Sequence, residues 1–130
     1  VGNLSLIGEY IAATTSFDED NLSINGRGAD PKAGQLEAVY TFHIEDKPAN
    51  IALGYQQTSD CLALLVPLRR YTATFNINLL KDTLESIEFR HDINYPASDV
   101  ATGQGEAINV DDLGLGHSSD TITGELTVYF

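Results

Sequence analysis

The stretch Arg70-Tyr71-Thr72-Ala73-Thr74-Phe75-Asn76-Ile77-Asn78-Leu79-Leu80 alternates apolar and polar side chains over about ten residues. Tyr71, Ala73, Phe75, Ile77 and Leu79 fall on one side, and Thr72, Thr74, Asn76 and Asn78 on the other. Successive side chains of a strand point to opposite faces, so the pattern sorts itself only in an extended chain; a helix would scatter both sets around its axis.

The same period of two extends outward from it in both directions. Leu84 to Tyr95 sets Ile87, Phe89, Ile93 and Tyr95 against Ser86, Glu88, Arg90, Asp92 and Asn94, with His91 interrupting the apolar side. Ile51 to Gln57 is a shorter strand, and Gly34 to Glu45 a cleaner one, with Leu36, Ala38, Tyr40, Phe42 and Ile44 on one face. Thr121 to Phe130 and Leu4 to Phe17 complete six strands, the last of these with Ile7 and Ile11 blurring its polar side. The chain reads as all-β.

The connections alternate in length. Asp46 to Asn50 and Lys81 to Thr83 are turns of hairpin length, whereas Asp18 to Ala33, Thr58 to Arg69 and Pro96 to Asp120 are long and polar, with Cys61 to Pro67 as an apolar patch. An antiparallel up-and-down meander puts all the short turns at one end and all the long loops at the other. That layout is expected of part of a transmembrane outer-membrane β-barrel. Tyr10, Tyr40, Phe42, Tyr55, Tyr71, Phe89 and Tyr95, near segment ends, suit the aromatic girdles of such a barrel.

Composition narrows the partners. Nineteen acidic against seven basic residues give a net charge of -12 and a pI near 4.3, which repels nucleic acid. A lone cysteine, Cys61, excludes an internal disulfide and multi-cysteine metal sites, and reads as a small buried or loop residue. The longest apolar run, Cys61 to Val66, is far short of the roughly 18 residues a membrane-spanning helix needs.

Chemistry-bearing residues are few. Glu88, Arg90 and Asp92 at every second position line one strand face, together with Glu37 on another strand. They fit a charged pore wall and, equally, a cross-strand ladder that holds register. The adjacent Arg69 and Arg70 fit a two-point grip on a ligand carboxylate, or the capping of an exposed loop. His43, His91 and His117 lack ligand spacing, and the acidic clusters Asp18-Glu19-Asp20 and Asp111-Asp112 lack the spacing of a calcium loop, so no metal or other cofactor is expected. No residue set supports catalysis, and the chain is not expected to be an enzyme.

The segments Asn21-Leu22-Ser23-Ile24-Asn25-Gly26, Ile51-Ala52-Leu53-Gly54-Tyr55-Gln56, Ile87-Glu88-Phe89-Arg90-His91-Asp92-Ile93-Asn94-Tyr95 and Ala101-Thr102-Gly103-Gln104-Gly105 resemble, in this order, the C-terminal part of the LbtU-type siderophore porins. Gly124 to Phe130 is similar to the terminal strand of outer-membrane barrels. The resemblance implies a monomeric outer-membrane porin that imports ferric siderophore without a plug domain. Such porins are more than twice as long, and about six strands fall short of the eight that the smallest barrels use. Residues 1–130 are therefore expected to be a single segment of a larger barrel, whose remaining strands come from a missing N-terminal part or from other chains. The alternative is a soluble lipocalin-like β-barrel or sandwich that turns the same apolar residues inward around a small apolar ligand.

Overall fold

The computed structural model describes residues 2–103, 106–107 and 114–130, with backbone alone for 106–107. Six long strands form one antiparallel sheet: β1 Asn3–Ala12, β4 Lys32–Ile44, β5 Lys47–Ser59, β6 Arg69–Ile77, β7 Thr83–Ile93 and β10 Ser118–Val128. They lie side by side in that order, so each is hydrogen-bonded to the long strand before and after it in the chain. The all-β antiparallel meander read from the sequence is what forms. Among the described residues β1 and β10 are the free edges and the sheet is open.

Several boundaries move. The first strand stops at Ala12 rather than reaching Phe17, and Phe17 instead donates its backbone N–H to Ala29 O. β5 is thirteen residues long and begins at Lys47, so the supposed turn Asp46 to Asn50 shrinks to Glu45 and Asp46, between the partners Ile44 and Lys47. Glu45 takes the left-handed φ of 55° that closes this tight turn. β6 ends at Ile77 and the next connection is residues 78–82.

Register makes the faces continuous across all six strands. One row reads Leu6, Ala38, Leu53, Ala73, Phe89, Ile122, and the next reads Leu4, Tyr40, Ile51, Phe75, Ile87, Gly124. The opposite face carries Ile7, Glu37, Gly54, Thr72, Arg90, Thr121 in one row and Ser5, Val39, Ala52, Thr74, Glu88, Thr123 in another. The apolar face is the uncovered one: Leu6, Leu53 and Ile122 are 75%, 58% and 76% exposed, and no other layer of the described residues packs on it. On the polar face of β6 and β7, Thr72, Thr74, Asn76, Glu88 and Arg90 are half-buried and Asp92 is buried, whereas Ile7, Glu37 and Glu125 on the outer strands are exposed.

The compact core sits elsewhere. The three long connections leave the same end of the sheet and fold on one another, forming a second sheet of β3 Arg27–Gly28, β2 Leu22–Ile24, β8 Ala101–Gly103 and β9 Glu106–Ala107 beside a 3-10 turn, η1 Leu62–Leu64. Ile24, Ala29, Leu62, Tyr95 and Ala101 are buried together between these pieces. Loops expected to be polar and irregular thus form a cap. Its nucleus is the hairpin at Asn25-Gly26, whose φ values of 51° and 75° are those of the two-residue turn favoured by Asn-Gly. Gly28 is required for close packing: a Cβ there would lie 1.9 Å from Phe17 O.

Candidate functional site

The half-buried polar face gathers most of the chemistry-bearing residues. β6 and β7 place Arg70 directly opposite Asp92, and the pair is a two-point ion pair with Nε–Oδ1 at 2.7 Å and Nη2–Oδ2 at 3.0 Å. Arg90, two residues before Asp92 and so on the same face, brings its Nε to 3.4 Å from Asp92 Oδ2. That approach is an ion pair without hydrogen-bond alignment. Arg90 Nε is the one buried side-chain nitrogen or oxygen among the described residues that lacks a hydrogen-bond partner. Its Nη2 reaches Thr121 Oγ1 at 3.5 Å on the neighbouring β10.

One row further along, Thr74 Oγ1 donates to Glu88 Oε2 at 3.4 Å, and Asn76 Nδ2 donates to Asn50 Oδ1 at 2.8 Å across β6 and β5. Gln35 donates to Glu9 at the β1 and β4 end. Each of these pairs spans adjacent strands, so the polar groups hold register as well as line a surface. A hollow of about 450 Å³ runs over this face, bordered by Glu9, Gln35, Glu37, Gln56, Arg70 and Glu88.

Five of the six residues singled out in the sequence, Glu37, Arg70, Glu88, Arg90 and Asp92, therefore share one face. Arg69 does not. As the neighbour of Arg70 on a strand it points to the opposite side, in a row with Gln57 and Ile93, so the two arginines cannot grip one carboxylate together. The two-point partner of Arg70 is the chain's own Asp92. Of the aromatic residues assigned to girdles, Tyr95 is corrected as well: it leaves the sheet and is buried in the cap. The other six share the apolar face, where Tyr40 stacks on Phe42 and Tyr55 meets Tyr71 with ring centroids 5.1 Å apart. His91 lies in that same row, its Nδ1 2.6 Å from Asp120 Oδ1.

Cap geometry is fixed by a chain of hydrogen bonds that the sequence did not reveal. Thr58 Oγ1 donates to Pro67 O at 2.7 Å, which uses its only hydrogen, so the 2.9 Å bond between Tyr95 and Thr58 has the phenol as donor. Tyr95 Oη in turn accepts the Cys61 backbone N–H at 3.1 Å. Burial pushes both the Tyr95 phenol and the Cys61 thiol above their ordinary pKa values. Arg27 and Asp60 clasp the first and second loops, with Nη1–Oδ2 at 2.7 Å and Nη2–Oδ1 at 2.9 Å, and the Asp30 N–H adds a third bond at 3.1 Å. The Arg27 hydrogen bonds hold the Asp60 carboxyl below the usual carboxylate range. Asn25 ties the first loop to the third through Asp99 Oδ1 and the Val100 N–H, each at 3.0 Å.

No group of three or more His, Cys, Asp or Glu among the described residues is placed to hold a metal ion; Asp111-Asp112 lies outside them. No helix among the described residues is long and apolar enough to cross a membrane, which leaves crossing by strands untouched.

No protein-family profile matches the chain, and no solved structure matches it. The chain is 46% identical over 130 residues to a UPF0422 protein of Legionella pneumophila strain Lens, a match that covers 98% of this chain and 24% of the relative. It is 39% identical over 124 residues to a UPF0422 protein of Coxiella burnetii strain RSA 493, covering 95% of this chain and 27% of that relative. The chain thus spans about a quarter of the length of the curated relatives to which it is similar.

Proposed function

We propose that this chain is a wall segment of a bacterial outer-membrane β-barrel that conducts small solutes, with its polar face toward a water-filled passage and its apolar face toward lipid. The single observation that carries the reading is the distribution of exposure over the large sheet: most large apolar side chains of a face continuous over six strands are exposed, while the polar face is half-buried along its central strands β5 to β7. Exposed apolar patches on soluble monomers rarely exceed a few hundred Å². A sheet of this size with Leu6, Leu53, Ile87 and Ile122 uncovered belongs in a non-aqueous phase or against a large partner.

Strand length supports the same reading. The six strands run 10, 13, 13, 9, 11 and 11 residues, whereas strands of globular proteins average about 5–6 and a tilted transmembrane strand needs about 9–11. Two short connections at one end and three long ones at the other match turns on the inner side and loops on the outer side of that membrane. A soluble lipocalin-like barrel would bury the apolar face and expose the polar one, which is the reverse arrangement.

The wall itself carries five carboxylates, Glu9, Glu37, Glu88, Asp92 and Glu125, against the guanidiniums of Arg70 and Arg90. It favours neutral or cationic hydrophilic solutes. Uptake of ferric siderophore, which the resemblance to LbtU-type porins implies, requires basic groups for an anionic chelate, and these would have to come from the remainder of the barrel. The test is gel migration of the full-length protein extracted in detergent, with and without boiling. A mobility shift on heating, together with insolubility without detergent, is the expected result. A protein that is monomeric in plain buffer and migrates identically after boiling overturns the membrane reading.

A further inference from the structure

The segment from Cys61 to Pro67 joins β5 to β6 across the polar side of the sheet. Leu62, Leu65, Val66 and Pro67 border a hollow of about 190 Å³ whose other wall includes Arg70 and Asp92. This link therefore borders the polar face beside its two-point Arg70–Asp92 ion pair. Leu65 closes η1 in a left-handed conformation with φ of 59°, which bulky side chains rarely adopt. Its side chain is nonetheless 59% exposed, so no burial of that side chain accounts for the choice.

The segment is pinned at both ends. The Cys61 N–H is held by Tyr95 Oη at 3.1 Å, Pro67 O by Thr58 Oγ1 at 2.7 Å, and the preceding Asp60 by Arg27 at 2.7 Å. The linked Tyr95–Thr58 anchors and the separate Arg27–Asp60 clasp hold both ends of this seven-residue link. We propose that Cys61–Pro67 is the constriction of the passage, with Leu65 and Val66 facing the Arg70–Asp92 pair and limiting transit to compact hydrophilic solutes. This rests on the pore reading above. Bulky solutes, metal chelates among them, require the cap to be displaced.

The test uses the full-length protein in planar bilayers, comparing wild type with Leu65→Gly and Leu65→Cys. Glycine adopts a left-handed φ freely, so Leu65→Gly should keep the heat-modifiable form while raising single-channel conductance and admitting larger sugars in a liposome-swelling assay. Leu65→Cys treated with a bulky methanethiosulfonate should lose most of its conductance, while wild type, whose Cys61 is buried, should be unaffected. A conducting wild type with both variants unchanged overturns the constriction and leaves the pore standing. A wild type that inserts without conducting overturns both.

Discussion

Arg70 and Asp92 face each other directly across β6 and β7 and join by two parallel hydrogen bonds of 2.7 and 3.0 Å, on the polar face of a sheet whose other face is bare and apolar. With Arg90 at 3.4 Å on its other side, the buried Asp92 carboxylate holds two guanidiniums in place. Asp92→Asn should lower unfolding free energy by about 1–3 kcal/mol, because it strips both arginines of their counter-charge in a partly desolvated setting. The double variant Arg70→Met, Asp92→Leu should cost less than the sum of its single variants. Urea unfolding of protein in lipid vesicles measures both; strict additivity would mean the pair is not coupled.

Leu53 lies at the middle of the apolar face and is 58% exposed. In water, replacing such a side chain by arginine changes stability by no more than about 0.5 kcal/mol. In a bilayer, the same change at mid-depth costs about 2–4 kcal/mol. Leu53→Arg should show the larger loss in lipid vesicles, and a loss under the smaller figure would place this face in water.

The clasp between Arg27 and Asp60 gives the cap a pH dependence of known sign. Its hydrogen bonds depress the folded pKa of Asp60, so the contribution is present above the ordinary carboxylate value of about 4 and is lost as pH falls through the depressed folded value. Hydrogen-exchange protection at Leu22, Ile24 and Ala101, taken relative to the intrinsic rate at each pH, should fall at acid pH as the cap loosens, more than that in β5 and β6. Asp60→Asn should weaken cap protection at neutral pH and flatten this dependence; an unchanged acid response in that variant would assign it to other groups.

Tyr95→Phe removes a hydroxyl that donates to Thr58 and accepts from the Cys61 N–H. Leaving that buried pair unsatisfied should cost about 1–3 kcal/mol of cap stability. Cys61 reports on it: buried, with its thiol pKa raised by burial, it should react slowly with iodoacetamide at pH 8 in wild type and faster in Tyr95→Phe. Equal alkylation rates would show that the phenol does not hold the segment.

Local alternation is enough to specify the large sheet. Alternation from Tyr71 to Leu79 and in five other segments assigned each side chain to a face, because a period of two is local and has one geometric solution. It put Glu37, Glu88, Arg90 and Asp92 on polar faces for the same reason; Arg70 was set beside Arg69 instead, although the same rule separates the two. Strand ends were less legible, since Pro48 and Lys47 extend β5 through pairing with His43 and Ile44, partners that lie on another strand. The cap depends on contacts between distant parts of the chain. Its core joins Ile24, Leu62, Tyr95 and Ala101 from three connections far apart in the chain, and no local pattern marks residues whose burial depends on such distant partners. Asn25-Gly26 was the one local signal, a hairpin turn lying inside a stretch that otherwise reads as loop. The pairing of Arg70 with Asp92, as against a ligand, likewise depends on register between two strands, which is set by the packing of the whole sheet.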